Sequence, residues 1–141
     1  MKAMLTILFT ILTLNLKAPE YKTIPIPEGE VIKPFDPVLY SFCKVESNFD
    51  TDTINKLGYT GLLQIGQEMT DEANRINEMS GNPLRFTFPG CALDSLQSVQ
   101  IWYTVQSYWN KSYNVKRAAY IWNPKSSINY YLKIKKEILS L

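Results

Sequence analysis

The 141-residue chain contains no histidine. That absence removes Ser-His-Asp and Cys-His nucleophile systems, histidine-ligated zinc and any imidazole acting as acid or base. Chemistry here must run on carboxylates, hydroxyls or backbone. Cysteine is scarce: Cys43 and Cys91 are the only two. Two thiols cannot build a metal site without further ligands, and no imidazole is present to activate either as a nucleophile. The sequence therefore calls for no metal and no cofactor. A strong charge excess is also missing, since 15 Lys+Arg against 13 Asp+Glu leave a net charge of +2. That is too little for a dedicated nucleic-acid binder with a basic face. What is present, 45% hydrophobic and 20% charged residues, fits one globular domain with a core and leaves no room for a second.

The N-terminus carries a processing signal. Lys2 precedes an apolar run from Ala3 to Leu14 that only threonines interrupt, followed by Asn15-Leu16-Lys17-Ala18. The run is too short to span a bilayer comfortably, so residues 1–18 are expected to be a secretory signal or, if uncleaved, an N-terminal anchor. Cleavage would remove Lys2 and Lys17 and leave 13 basic against 13 acidic residues. The expected location is the periplasm, the cell envelope or the medium. Residues 19–35 carry four prolines, with Ile24-Pro25-Ile26-Pro27 reading as a polyproline-like arm.

The folded part, residues 36–141, is expected to be mainly α. Asp36-Pro37 is a helix start, with an aspartate to cap orphan N–H groups and a proline preset for the first helical position. Apolar residues at 38, 39, 42, 45 and 49 follow at helical spacing. Glu46 breaks the pattern: it lies on the same side as Phe42, Cys43 and Phe49. A carboxyl there is partly desolvated, which raises its pKa and keeps it protonated, as a general acid requires. The alternative is a boundary carboxylate bent out to solvent. After the turn-rich stretch from Asp50 to Gly61, Leu62-Leu63-Gln64-Ile65-Gly66 re-enters the interior with one amide, Gln64, which needs a hydrogen-bonding partner.

Further helices are expected from Asp71 to Met79 behind a Thr70 cap, and from Asp94 onward, where Gln97 completes a capping box ahead of Leu96, Val99, Trp102, Tyr103, Val105 and Trp109. Two shorter ones follow, around Val115–Trp122 and from Ile128 to Ile138 after a Ser126 or Ser127 cap. Trp102, Tyr103 and Trp109 fall at core spacing, whereas Trp122, Tyr130 and Tyr131 are better placed for a groove. Cys43 and Cys91, in an exported chain, invite a disulfide, with two buried free thiols as the alternative. From Asn110 to Leu141 seven basic residues face a single acid, Glu137. They read as a solvated face, the alternative being a site for a polyanion such as a bacterial wall polymer.

Glu46-Ser47-Asn48-Phe49, followed by Gly61-Leu62-Leu63-Gln64-Ile65, resembles the soluble lytic transglycosylases, lysozyme-like enzymes that cleave peptidoglycan. Their first two motifs read Glu-Ser-x-Phe and Gly-Leu-Met-Gln-Ile. The resemblance covers roughly residues 36–139 and implies a lysozyme-like helical domain with a substrate groove. By it, Glu46 is the catalytic acid, Ser47 helps to orient it, and Gln64 lines the sugar-binding groove. The third motif, Ala-Tyr-Asn-x-Gly, has an altered counterpart in Ala118-Ala119-Tyr120-Ile121-Trp122-Asn123-Pro124-Lys125. Trp122-Asn123 aligns with Tyr-Asn and puts Lys125 where glycine is expected; a shifted alignment matches Tyr120 instead. The family's closing tyrosine falls on Tyr130, with Tyr131 the other candidate.

The resemblance implies cleavage of the β-1,4 bond between N-acetylmuramic acid and N-acetylglucosamine, with a 1,6-anhydro product. A hydrolase ordinarily needs a second carboxylate across the bond. Asp50 and Asp52 are the near ones in sequence, and both sit in a turn. Lysozyme-type hydrolysis, a catalytically silent peptidoglycan-binding module and an exported helical adaptor are the alternatives. The expected partner is the glycan strand, with a wall-spanning secretion, conjugation or phage machine as a further one, and no nucleic acid.

Overall fold

The computed structural model describes residues 36–125 and 128–141, and places six α-helices among them. These are α1 (Pro37–Ser47), α2 (Gln67–Met79), α3 (Gly90–Leu93), α4 (Ser95–Trp109), α5 (Val115–Trp122) and α6 (Ile128–Ile138). The leader, the proline-rich arm and the Ser126 or Ser127 cap lie outside the described residues. Among the described residues no helix is long and apolar enough to cross a membrane.

Local chemistry starts and stops these helices much as the sequence predicts. Asp36 Oδ1 accepts from the Val38 N–H at 2.8 Å, and Pro37 occupies the first turn, where its missing donor costs nothing. The helix ends at Ser47 because Asn48 turns left-handed, at φ 54°, a conformation asparagine tolerates. Asp94 caps α4 through the Gln97 N–H at 2.9 Å, and the Gln97 amide returns to Asp94 at 3.3 Å.

Two expectations need correction. Helix α2 begins at Gln67, with Gly66 as its N-cap, so Thr70 is an interior residue whose hydroxyl donates to the Gly66 carbonyl at 3.1 Å. Its threonine-then-acid sequence mimics a cap that tertiary packing overrides. Trp109 is 43% exposed and not core. Its indole N–H donates to Glu72 at 2.6 Å, and the Arg75 guanidinium, paired with Glu72 at 2.7 Å, lies 6.0 Å from its ring centre.

The core is organised around Phe42, which is fully buried and meets three rings edge-on: Trp102 at 5.6 Å, Tyr130 at 6.0 Å and Trp122 at 6.5 Å. Helix α1 packs on α6, α2 on α4, and α5 on both α4 and α6. The first and last helices are thereby brought side by side. Between α2 and α3 the chain is tied down by amides and not by periodicity: Asn74 exchanges two hydrogen bonds with the Phe86 backbone, at 2.8 and 2.9 Å, and Asn77 donates to the Leu84 carbonyl at 3.0 Å. Asn110 likewise pins the α4–α5 turn, accepting from the Asn114 N–H at 3.0 Å and donating to its carbonyl at 3.0 Å.

Candidate functional site

Residues 53–65 fold into a small bridged platform beside the C-terminal end of α1. Thr60 pairs with Ile65 through N–H to carbonyl bonds of 3.0 and 2.9 Å, and the Gly61 N–H reaches the Thr53 carbonyl at 2.8 Å. Gly61 is obligatory at this point. Its φ is +74°, and a β-carbon there would sit 1.8 Å from the Ala92 carbonyl oxygen. Gly66 serves differently, since a β-carbon on it would lie 2.6 Å from the Tyr59 ring. The absent side chain is the space that Tyr59 occupies.

Ser47 joins the platform to α1. Its hydroxyl donates to the Leu62 carbonyl at 2.8 Å, with a longer contact to the Cys43 carbonyl at 3.3 Å. Ser47 therefore orients the Gly61–Ile65 segment, and its hydrogen bonds do not reach the Glu46 carboxyl. Gln64 holds an uncommon left-handed backbone, φ 49°, and its amide nitrogen donates to the Gly61 carbonyl at 3.0 Å and the Thr53 carbonyl at 3.2 Å. The sequence demanded a partner for this amide, and the platform's own carbonyls supply two.

A cleft of about 320 Å³ opens against this platform, a size typical of ligand sites. Glu46 and Gln64 lie on its lining with Asn55, Leu57 and Tyr59 from the platform loop, and Trp122, Asn123, Pro124 and Lys125 from the end of α5. Trp122 is anchored by its indole N–H, which donates to the Leu63 carbonyl at 3.2 Å. Tyr120 is absent from this lining and 41% exposed. The structure thus brings Trp122 and Asn123, and not Tyr120, to the cleft.

Tyr130, buried on α6, donates its hydroxyl hydrogen to Glu46 Oε1, although the two residues are 84 positions apart. Tyr131 is half-buried and is not on the cleft lining. Burial pushes the Glu46 carboxyl up from the ordinary 4.5 to about 7, against the opposing pull of the Tyr130 hydrogen bond. The same burial, reinforced by the Glu46 charge, raises the Tyr130 phenol far above its ordinary range, so the phenol stays a donor. A carboxyl poised near neutrality beside an open cleft can give and take a proton at one atom while the phenol holds the other.

Asp50 and Asp52 are exposed and lie outside the lining. Asp50 accepts from the Asp52 N–H at 2.9 Å, so its carboxylate is used in the turn. The two cysteines are free and buried, which is the second of the two readings that the sequence left open. The Cys91 sulfur faces the Thr70 hydroxyl at 3.6 Å, whereas Cys43 sits in the core near Glu46 and Tyr130. Burial pushes the Cys43 thiol up to about 12 and leaves it inert. Among the described residues no group of three or more His, Cys, Asp and Glu is placed to hold a metal.

The platform loop, Pro124 and Lys125 are the lining residues that sequence reasoning did not assign. Asn55 shapes that loop, its side-chain oxygen accepting from the Leu57 and Tyr59 N–H groups at 2.8 and 3.1 Å. An asparagine opening a short Asn-x-x-Gly turn between two matched motifs was the available signal. The other basic residues after Asn110, namely Lys111, Lys116, Arg117, Lys133, Lys135 and Lys136, are exposed. Compared with family models, curated proteins and solved structures, the chain matches none.

Proposed function

We propose that this helical domain is lysozyme-like and cleaves the glycan strand of peptidoglycan as a lytic transglycosylase. The observation that carries the reading is Glu46: a carboxyl raised to about 7, hydrogen-bonded by Tyr130, on the lining of an open cleft. Its neighbours Gln64, Trp122 and Asn123 offer an amide oxygen, a largely buried indole wall and a second amide to a sugar. Neutral Glu46 donates its proton to the bridging oxygen while the bond from that oxygen to C1 of the muramic residue breaks. The resulting carboxylate then takes the proton of the C6 hydroxyl as its oxygen bonds to C1. The enzyme ends in its starting protonation state, and no water is consumed.

Glu46 is the one carboxylate among the described lining residues, which supports intramolecular attack over a two-carboxylate hydrolysis. The reading also implies an exported chain, because its substrate lies outside the cytoplasm. Mass spectrometry of fragments released from purified peptidoglycan tests it, with Glu46→Gln alongside. Fragments ending in 1,6-anhydro-muramic acid, absent with the variant, are expected. Reducing ends carrying added water would replace the reading with a lysozyme-type hydrolase. Undiminished cleavage by Glu46→Gln would remove the residue from the mechanism, and glycan binding without any fragments would leave a silent wall-binding module.

A further inference from the structure

Among the described residues that line the cleft, Glu46 and Lys125 are the acidic and the basic one, and with Glu46 protonated Lys125 is the charge that remains. The residues that lead to this lysine are held in place. Trp122 is buried and bonded to the Leu63 carbonyl, the Asn123 N–H closes α5 on the Ala119 carbonyl at 3.0 Å, and Pro124 restricts the backbone immediately before it. Among the described residues the ion pair present is Arg75 with Glu72, and no described carboxylate is paired with the Lys125 ammonium. Exposed lysines are common, but one on the lip of a cleft that holds a proton-donating carboxyl meets whatever the cleft binds.

In the glycan that the proposed function assigns to this cleft, alternate sugars carry a 3-O-lactyl branch. That branch ends in a carboxylate, either its own or that of a peptide continuing from it. An ammonium on a flexible stem recognises such a group as a point charge without demanding one geometry. We infer that Lys125 is a specificity-determining residue that pairs with a carboxylate on the lactyl branch of the bound glycan. The inference rests on the glycan-cleaving reading and adds to it the residue that meets the acidic branch.

Calorimetric binding by the full chain carrying Glu46→Gln separates the two claims, because it needs no turnover. Three soluble tetrasaccharides serve as probes: chitotetraose, which has no carboxylate, an alternating muramyl tetrasaccharide stripped of peptide, and the same sugar with its peptides. Acidic ligands are expected to bind about twofold to fivefold more tightly than chitotetraose, the range of an exposed ion pair. Adding Lys125→Ala should abolish that preference without weakening chitotetraose, Lys125→Arg should keep it, and salt should erode it. A preference already present in the peptide-free sugar identifies the lactyl carboxylate; one that appears only with peptides identifies theirs. If Lys125→Ala weakens all three ligands equally, or none, the inference is overturned and the glycan reading stands. If no probe binds, both fall.

Discussion

Replacing Glu46 with glutamine is expected to stabilise the protein, and only above acidic pH. In the folded chain the carboxyl is raised from the ordinary 4.5 to about 7 by burial. The native state therefore holds this proton more tightly than the unfolded state does. The stability so contributed is fully present below pH 4.5 and is lost as pH rises through 7. At about 1.36 kcal/mol per pH unit, the loss approaches ~3 kcal/mol in wild type at pH 8. Glutamine can still accept from the Tyr130 hydroxyl and never ionises, so the variant escapes that loss. Urea denaturation followed by circular dichroism would read the difference as a midpoint about 1.5 M higher for the variant at pH 8, for a slope near 2 kcal/mol per M. At pH 4.5 the two midpoints should nearly coincide. Other titrating groups are common to both proteins and cancel in the difference. A variant whose midpoint differs from wild type by the same amount at both pH values would refute the reasoning, because the effect would then be one of packing and not of ionisation.

The same protonation sets the activity profile. The proposed reaction requires neutral Glu46, so under that proposal kcat/KM for fragment release should fall about tenfold per pH unit above pH 7. In Tyr130→Phe, which loses the hydrogen bond that lowers the Glu46 pKa, that descending limb should move to higher pH. Ser47→Ala leaves the Leu62 carbonyl without its donor and should cost about 1–3 kcal/mol in a denaturation curve. Gly61→Ala, which drives a β-carbon to 1.8 Å from the Ala92 carbonyl oxygen, is expected to give protein without a cooperative melting transition. Thiol titration under non-reducing conditions should count two free cysteines in denaturant and almost no reactive thiol in the native state.

The legible parts of this fold were those decided within a few residues. Asp36-Pro37 and the Asp94–Gln97 pair act on N–H groups two or three positions away, and both work as read. Helical spacing puts Glu46 on the apolar side but leaves a solvent-facing carboxylate open, and the Glu-Ser-x-Phe resemblance, not spacing, singled it out. Distance in sequence hid the rest. Helix α3 has four residues, too few for any periodicity, and Thr70 looks like a cap because the glycine that starts α2 makes no side-chain bond to announce itself. Trp109 has core spacing, yet it lies at the end of α4, where Glu72 and Arg75 of α2 hold it at the surface. Composition invited a disulfide between two cysteines that packing gives to different surroundings. The second wall of the cleft, Asn55 to Tyr59, depends on how a loop folds back, which no local pattern states.

The Glu46–Tyr130 hydrogen bond has a temporal side. Its acceptor lies on the first of the six described helices and its donor on the last, so the carboxyl acquires its partner only when the far end of the domain has been made and docked. Until then Glu46 is a solvated side chain of ordinary acidity, nearly all of it ionised at neutral pH. The burial that raises its pKa comes with the docking of α6 on α1, so a carboxyl poised near neutrality exists only in the finished fold.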